Sequence, residues 1–190
     1  NLQTIHITLV GEVEKPGIYT VSGLSSLINT IISTGGVKQT GSLRNIQLRR
    51  SQRIISVVDM YDVIIKGHNK DNVYLRHGDV IVVPPIGRTA GIAGEVVRPA
   101  IYELKNEQNI RDIINLSGGL LATAAPKKAQ LKRVNRGSDR FELIQVDLTR
   151  GGHEQKIANG DVLRIYPVNS KIENAIILKG NILEPGSAEW

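Results

Sequence analysis

The 190-residue chain has no cysteine, and it has only one phenylalanine, one tryptophan and one methionine. Without thiols there is neither a disulfide framework nor a thiolate metal site. The absence fits a cytoplasmic or a periplasmic address. Few aromatic rings mean that the core is built from the Val, Ile and Leu residues that recur throughout. No apolar run approaches the roughly 18 residues of a helical membrane span. The first residues carry no charged-then-apolar leader; instead Ile5, Ile7 and Leu9 already alternate as in a strand. The expectation is therefore a piece of a longer protein, with any anchor or export signal outside it. Acidic residues are in the minority: the formal charge is +6, divided as +4 over 1–88, +4 over 89–172 and −2 over the tail. A mildly basic surface suits nucleic acid, acidic glycans or anionic lipid headgroups. It also serves as a merely solubilising surface.

What the chain does contain is repetition. Gly11-Glu12-Val13-Glu14-Lys15-Pro16-Gly17-Ile18-Tyr19 returns as Gly94-Glu95-Val96-Val97-Arg98-Pro99-Ala100-Ile101-Tyr102, and in part as Gly180-Asn181-Ile182-Leu183-Glu184-Pro185-Gly186. Each reads as a strand end, a polar turn and a returning strand, because Pro presets φ and Gly admits φ > 0. Behind the first hairpin, Leu24, Leu27, Ile28, Ile31 and Ile32 recur at helical spacing, with Ser22 or Ser25 as N-cap and Gly35-Gly36 as the stop. Asn45–Arg50 and Arg53–Val58 then form a second hairpin across Ser51-Gln52, a helical turn starts at Asp59, and Gly78-Asp79 leads into the strand Val80–Val83. The second copy runs at an offset of 83 as far as Gln130-Leu131, with length changes afterwards confined to polar turns. Three segments follow: 1–88, 89–172 and the start of a third copy over 173–190, with Ala175–Leu178 as its first strand and Trp190 inside its hairpin. Hairpin, helix and further strands imply an α+β layer fold in each full copy, a mixed sheet covered by one main helix.

Catalysis has little support in these residues. His6, His68, His77 and His153 lack metal-ligand spacing. Asp79 and Asp161 follow Gly in a turn, where a carboxylate accepts backbone N–H bonds, and Asp59 and Asp147 read as helix caps. Gly35-Gly36 and Gly118-Gly119 end helices, whereas phosphate cradles precede them. The repeated Tyr19 and Tyr102 read as hairpin packing rather than sugar stacking. A basic strip is more informative: Arg44, Gln47 and Arg49 align with Lys127, Gln130 and Lys132. Guanidinium forks grip carboxylates and glutamine amides pair with hydroxyls, so the six are candidate contacts to an acidic glycan. The competing and preferred reading is a charged sheet face that blocks edge pairing or meets a neighbouring subunit.

The ordered set G-E-V-x-x-P-G/A-I-Y, helix, G-G, basic strand, V-D-M/L and G-D-V-I/L, present twice, resembles the SLBB domain, a soluble-ligand-binding β-grasp module. Tandem copies of this kind are similar to those of outer-membrane polysaccharide export proteins, the Wza-like family. The resemblance implies a tandem β-grasp fold with the last strand of each unit inserted centrally. It implies a non-enzymatic periplasmic portion of a capsule or exopolysaccharide export channel, without cofactor or metal. It also implies a homo-oligomer in the full-length protein, with the polysaccharide and an inner-membrane polysaccharide co-polymerase as partners. Two alternatives stand beside it. One is an extracytoplasmic nucleic-acid-binding module of DNA uptake, opposed by the lack of aromatic stacking platforms; the other is a protein-protein adaptor.

Overall fold

In the computed structural model, residues 3–135, 137–168, 175–178 and 186–189 are described. The first repeat begins with β1 (Thr4–Gly11) and β2 (Gly17–Ser22), followed by the helix α1 (Leu27–Ser33). Then come β3 (Ile46–Arg50), β4 (Arg53–Val58), the short helix α2 (Met60–Ile64) and β5 (Val80–Val83). The sheet order is β2-β1-β5-β3-β4, with β5 parallel to β1 and every other pair antiparallel. The last strand therefore lies in the middle, as a β-grasp requires. Among the sheet residues Ile7, Leu9, Leu48, Ile81 and Val83 point to one face, where they form a core with Leu27, Ile28 and Ile31 of α1. Alternation in the strands and the helical period in α1 meet on that face.

The second repeat has the same plan. It comprises β6 (Arg88–Gly94), β7 (Ala100–Leu104), α3 (Ile110–Leu116), β8 (Ala124–Asn135), β9 (Arg140–Val146) and β10 (Val162–Pro167), in sheet order β7-β6-β10-β8-β9. The turn that follows Asp147 is a 3₁₀ helix, Leu148–Arg150. Beyond it, β11 (Ala175–Leu178) pairs antiparallel with β12 (Gly186–Glu189). The turn expected between these two strands, and Trp190, lie outside the described residues.

Most of the repeated motif has a backbone reason. Gly11 and Gly94 take φ of +90° and +87°, and a Cβ on either would meet the carbonyl oxygen of Val83 at 2.1 Å or of Ile165 at 1.9 Å. These same carbonyls accept from the Glu12 and Glu95 amides, so the glycine is where the hairpin leans on the central strand. Tyr19 and Tyr102 each donate their hydroxyl across the turn, at 2.7 Å, to the carbonyls of Lys15 and Arg98. The repeated tyrosine is a hairpin brace. Both helices stop in the same way: Gly36 and Gly119 donate to the carbonyls of Ile31 and Ile114, closing Schellman-type ends.

Asp79 and Asp161 accept backbone N–H bonds as expected of turn carboxylates, and both are in addition fully buried. Asp79 accepts from the Arg76 amide and, bidentately, from the Nε and Nη2 of Arg50, at 2.7 and 2.8 Å. Asp161 accepts from the Ala158 amide and from Arg133. The start of α1 differs from the expectation: Ser26 is its N-cap, not Ser22 or Ser25. Residues before the helix are occupied, since Leu27 donates to Val73 and Leu75 donates to Ser25, an isolated bridge that delays the first turn. Leu24, expected on the apolar face, falls outside the helix, and both it and Ile32 are exposed.

Replacing Gly11 or Gly94 by alanine is predicted to cost about 2–4 kcal/mol, from the left-handed backbone and the carbonyl clash together. Gly36→Ala, which shares the backbone sign but has open space around its Cβ, should lose only about 1–2 kcal/mol. Urea unfolding of the three variants checks the order.

Candidate functional site

The two repeats are joined by a buried polar cluster. Arg44, 6% exposed, comes from the segment that enters β3. Its Nε donates to the Asp59 carboxylate at 3.1 Å, and its Nη1 donates to the Glu107 Oε1 at 2.8 Å and the Glu103 carbonyl at 3.0 Å. The guanidinium also lies 4.7 Å from the centre of the Tyr61 ring. Arg44, Asp59 and Tyr61 belong to the first repeat; Glu103 and Glu107 belong to the second. The Glu103 side chain reaches back, accepting from the Ser42 hydroxyl at 2.7 Å, the Leu43 amide and the Gly87 amide. Tyr61 accepts from the Glu103 amide and packs edge-on against Tyr102, ring centres 6.1 Å apart.

Apolar packing follows the same route. Tyr61 is part of the core of the second repeat, while Leu43 packs against both cores. No buried side-chain nitrogen or oxygen among the described residues lacks a hydrogen-bond partner. Burial works against the Arg44 charge, but the Glu107 and Asp59 carboxylates outweigh it and hold the group above its ordinary pKa. Burial likewise opposes the Glu107 charge; hydrogen bonds from Arg44 and from the Lys105 amide, with the Arg44 charge, prevail and hold its carboxyl below the usual range. Burial raises the Tyr61 phenol, so it stays neutral.

Opposite the core, each sheet has an outer face; in the second repeat the first repeat covers it at Glu103, whose side chain is buried against Ser42, Leu43 and Gly87, while Ile101 beside it on β7 stays exposed. In the first repeat one row across the strands reads Ile18, Thr8, Val80, Arg49, Ile54. In the second repeat the matching row reads Ile101, Gly91, Val162, Lys132, Leu143. Aliphatic ends, a central valine and one cation recur. The neighbouring rows carry Gln47 and Gln130.

The six candidate contact residues thus fall in three settings. Arg44 is inside the joint, with its Nε and Nη1 bonded to protein acceptors and its side chain withdrawn from solvent. Its counterpart Lys127 is exposed near the start of β8. Gln47 and Arg49 share the first outer face, with the Gln47 Oε1 accepting from Arg49 at 2.7 Å. Gln130 and Lys132 share the second: Gln130 accepts from the Tyr166 hydroxyl, and the Lys132 ammonium sits 3.9 Å from the Phe141 ring centre. The strips are equivalent positions on two separate sheets, not one continuous patch. His6 and His77 stack edge to face at 5.6 Å, and His153 bonds to the Leu148 carbonyl. No group of three potential ligands fit for a metal occurs among the described residues.

The joint itself was not visible as a motif. Its second-repeat members Glu103, Lys105 and Glu107 stand where the first repeat has Thr20, Ser22 and Leu24, and Tyr61 stands where the second has Thr149. Positions at which two otherwise parallel copies diverge in polarity were the available signal.

Truncating the joint charge should be severe. Arg44→Met removes the cation shared by the buried Asp59 and the partly buried Glu107, leaving only the Lys105 ammonium 3.6 Å from Asp59, and about 3 kcal/mol should be lost in denaturant unfolding. Acid should loosen the same contact in the native chain. The Glu107 pKa is depressed by folding, so its contribution is present above the ordinary glutamate range near about 4.3 and is lost as pH falls through the lower folded value. The stability difference between the native chain and Glu107→Gln should therefore shrink in acid; an unchanged difference would remove Glu107 from this role.

The geometry agrees with comparisons to known proteins. The SLBB domain family model matches residues 6–61 and 89–143, more than half of the chain, once in each repeat. Two curated sequences, both the polysialic acid transport protein KpsD of Escherichia coli, are 31% identical to the chain over 104 residues, 54% of its length and 18% of theirs. The chain thus spans less than a fifth of these relatives. Two family matches, laid over two mixed five-stranded sheets with a central final strand, place the chain in the SLBB domain family as a tandem pair.

Proposed function

We propose that this chain is the periplasmic portion of an outer-membrane protein that exports an acidic capsular or extracellular polysaccharide, with domains at 1–88 and 89–172. Its work is mechanical and recognitive rather than catalytic: it forms a stiff two-domain segment that packs against its counterparts in a homo-oligomer around the polymer's path. The transport role in the name of the relative supports this reading. The observation that carries it is the repeated outer row, in which Ile18 and Ile101 stand 77% and 74% exposed at the same sheet position of the two repeats. Exposed aliphatic side chains in register on two rigidly joined sheets are suited to meeting a second copy along both domains at once. The nearby cations Arg49 and Lys132 give that contact an electrostatic register. In the full-length assembly, the inner-membrane polysaccharide co-polymerase would deliver the polymer to this segment.

The full-length parent in detergent should form a ring with a central opening, seen by light scattering and negative-stain imaging. Ile18→Asp with Ile101→Asp should disperse it while leaving the fold of each domain intact by circular dichroism. A monodisperse full-length monomer would overturn the export reading in favour of an adaptor.

A further inference from the structure

A second feature recurs in both repeats and lies apart from the outer row. Just before each main helix the chain makes a single bridge to the segment that precedes the last strand: Ser26 with Tyr74 in the first repeat, Asn109 with Lys156 in the second. A cleft opens beside each bridge. The first has a volume of 550 Å³ and includes Gly23, Tyr74 and Leu75 in its wall. The second has a volume of 620 Å³ and includes Asn106, Lys156 and Ile157. These are the same fold positions, offset by 83 on one side of the bridge and by 82 on the other.

Each cleft carries cationic and amide side chains, although from different positions, and Ile55 and Val73 add an aliphatic wall to the first. Arg50, Arg76 and Asn72 line the first; Arg88, Lys105 and Gln108 join Lys156 in lining the second. Among the described residues no carboxylate lines either cleft. The charges are only partly committed. Arg50 is held on Asp79, the Lys105 ammonium lies 3.6 Å from Asp59, and Arg88 donates to the Glu107 carbonyl. The Arg76 guanidinium and the Lys156 ammonium have no side-chain partner among the described residues. The Asn72 Oδ1 accepts from the Ile28 amide, which leaves its NH₂ as a donor. Tyr74 is 69% exposed, an aromatic face left open to solvent on a chain with very few rings.

We propose that the two clefts are equivalent subsites for one glycan chain bearing carboxylates. Cationic side chains take the carboxylates, amide donors take hydroxyls, and the Tyr74 ring takes the apolar face of a sugar. Clefts of this volume match the lower half of the range for small-ligand sites and accept a sugar unit or two. Two subsites on rigidly joined repeats let a polymer engage both, so that the second contact is made at high effective concentration. A single exposed ring in one cleft and none in the other is a poor platform for stacking successive bases, which favours a glycan over a nucleic acid. The proposal rests on the polysaccharide reading above but concerns a different surface.

The test uses the full 190-residue chain, titrated by calorimetry at low salt with a short oligomer of sialic acid, a neutral dextran oligomer, a single-stranded oligonucleotide and inorganic phosphate. The sialic acid oligomer should bind, weaken as salt is added, and be little affected by phosphate, while dextran should not bind. Arg88→Gln with Lys156→Gln, and separately Tyr74→Ala with Arg76→Gln, should each weaken binding about tenfold, as expected for losing charge-assisted contacts of about 1.4 kcal/mol in sum. All four side chains are solvent-exposed, so unchanged melting curves will show that the variants fold. Oligomer binding that both double variants retain would overturn the cleft assignment and leave the polysaccharide reading standing. Equal competition by phosphate would reduce the clefts to simple anion sites, and tighter cleft-dependent binding of the oligonucleotide would reassign them to nucleic acid; either overturns the proposal. No binding by the native chain overturns it as well, while ring formation by the full-length parent still decides the export reading separately.

Discussion

A guanidinium withdrawn from water must recover its lost hydration from neighbouring groups, or the fold that buries it fails. Arg44 recovers it only by drawing on both repeats. Asp59 and the Tyr61 ring come from its own repeat, and the Glu107 carboxylate and the Glu103 carbonyl from the next. Pulling the repeats apart would strand one buried cation and the carboxylates that face it. The packing of Tyr61 into the core of the second repeat adds an apolar penalty to the same separation. The joint therefore behaves as part of the interior, not as a linker, and the orientation of one sheet relative to the other is fixed by it.

That fixed orientation gives the repetition its use. Two copies of one fold carry two copies of an outer row and two copies of a cleft, and the joint holds each pair in a set spatial relation. A flexible pair of domains could offer the same side chains, but each second contact would cost the entropy of finding it. A rigid pair does not meet that cost. On the proposed reading, the outer rows serve contacts between subunits and the clefts serve the polymer. One duplicated module thus supplies both kinds of surface.

Much of the fold was legible because it is written twice. Hairpins, helix stops, the buried turn aspartates and the tyrosine braces occupy positions that agree between the copies, and each has a local backbone cause that residue type expresses directly. The central insertion of the last strand came through the resemblance to a known module, since periodicity gives strands but not their order. The N-cap of α1 falls at Ser26 and not at Ser22 or Ser25 because a tertiary bridge, Ser26 to Tyr74, holds the chain extended up to that residue. Arg44 was misread for a more general reason. Its alignment with Lys127 suggested equal surroundings, yet the first repeat is followed by a domain that covers this position, whereas Lys127 is exposed. Sequence equivalence reports the environment made within a repeat. It does not report the environment made between repeats, and the candidate glycan strip was assembled from both kinds.

The account turns on the joint being rigid in solution. Spin labels placed on one exposed position in each repeat, Lys38 and Arg140, would give a distance distribution by pulsed electron resonance. A single narrow distribution that broadens in Arg44→Met is the predicted result. A distribution already broad in the native chain would mean that the buried cluster does not hold the repeats together, and the fixed pairing of their surfaces would fall with it.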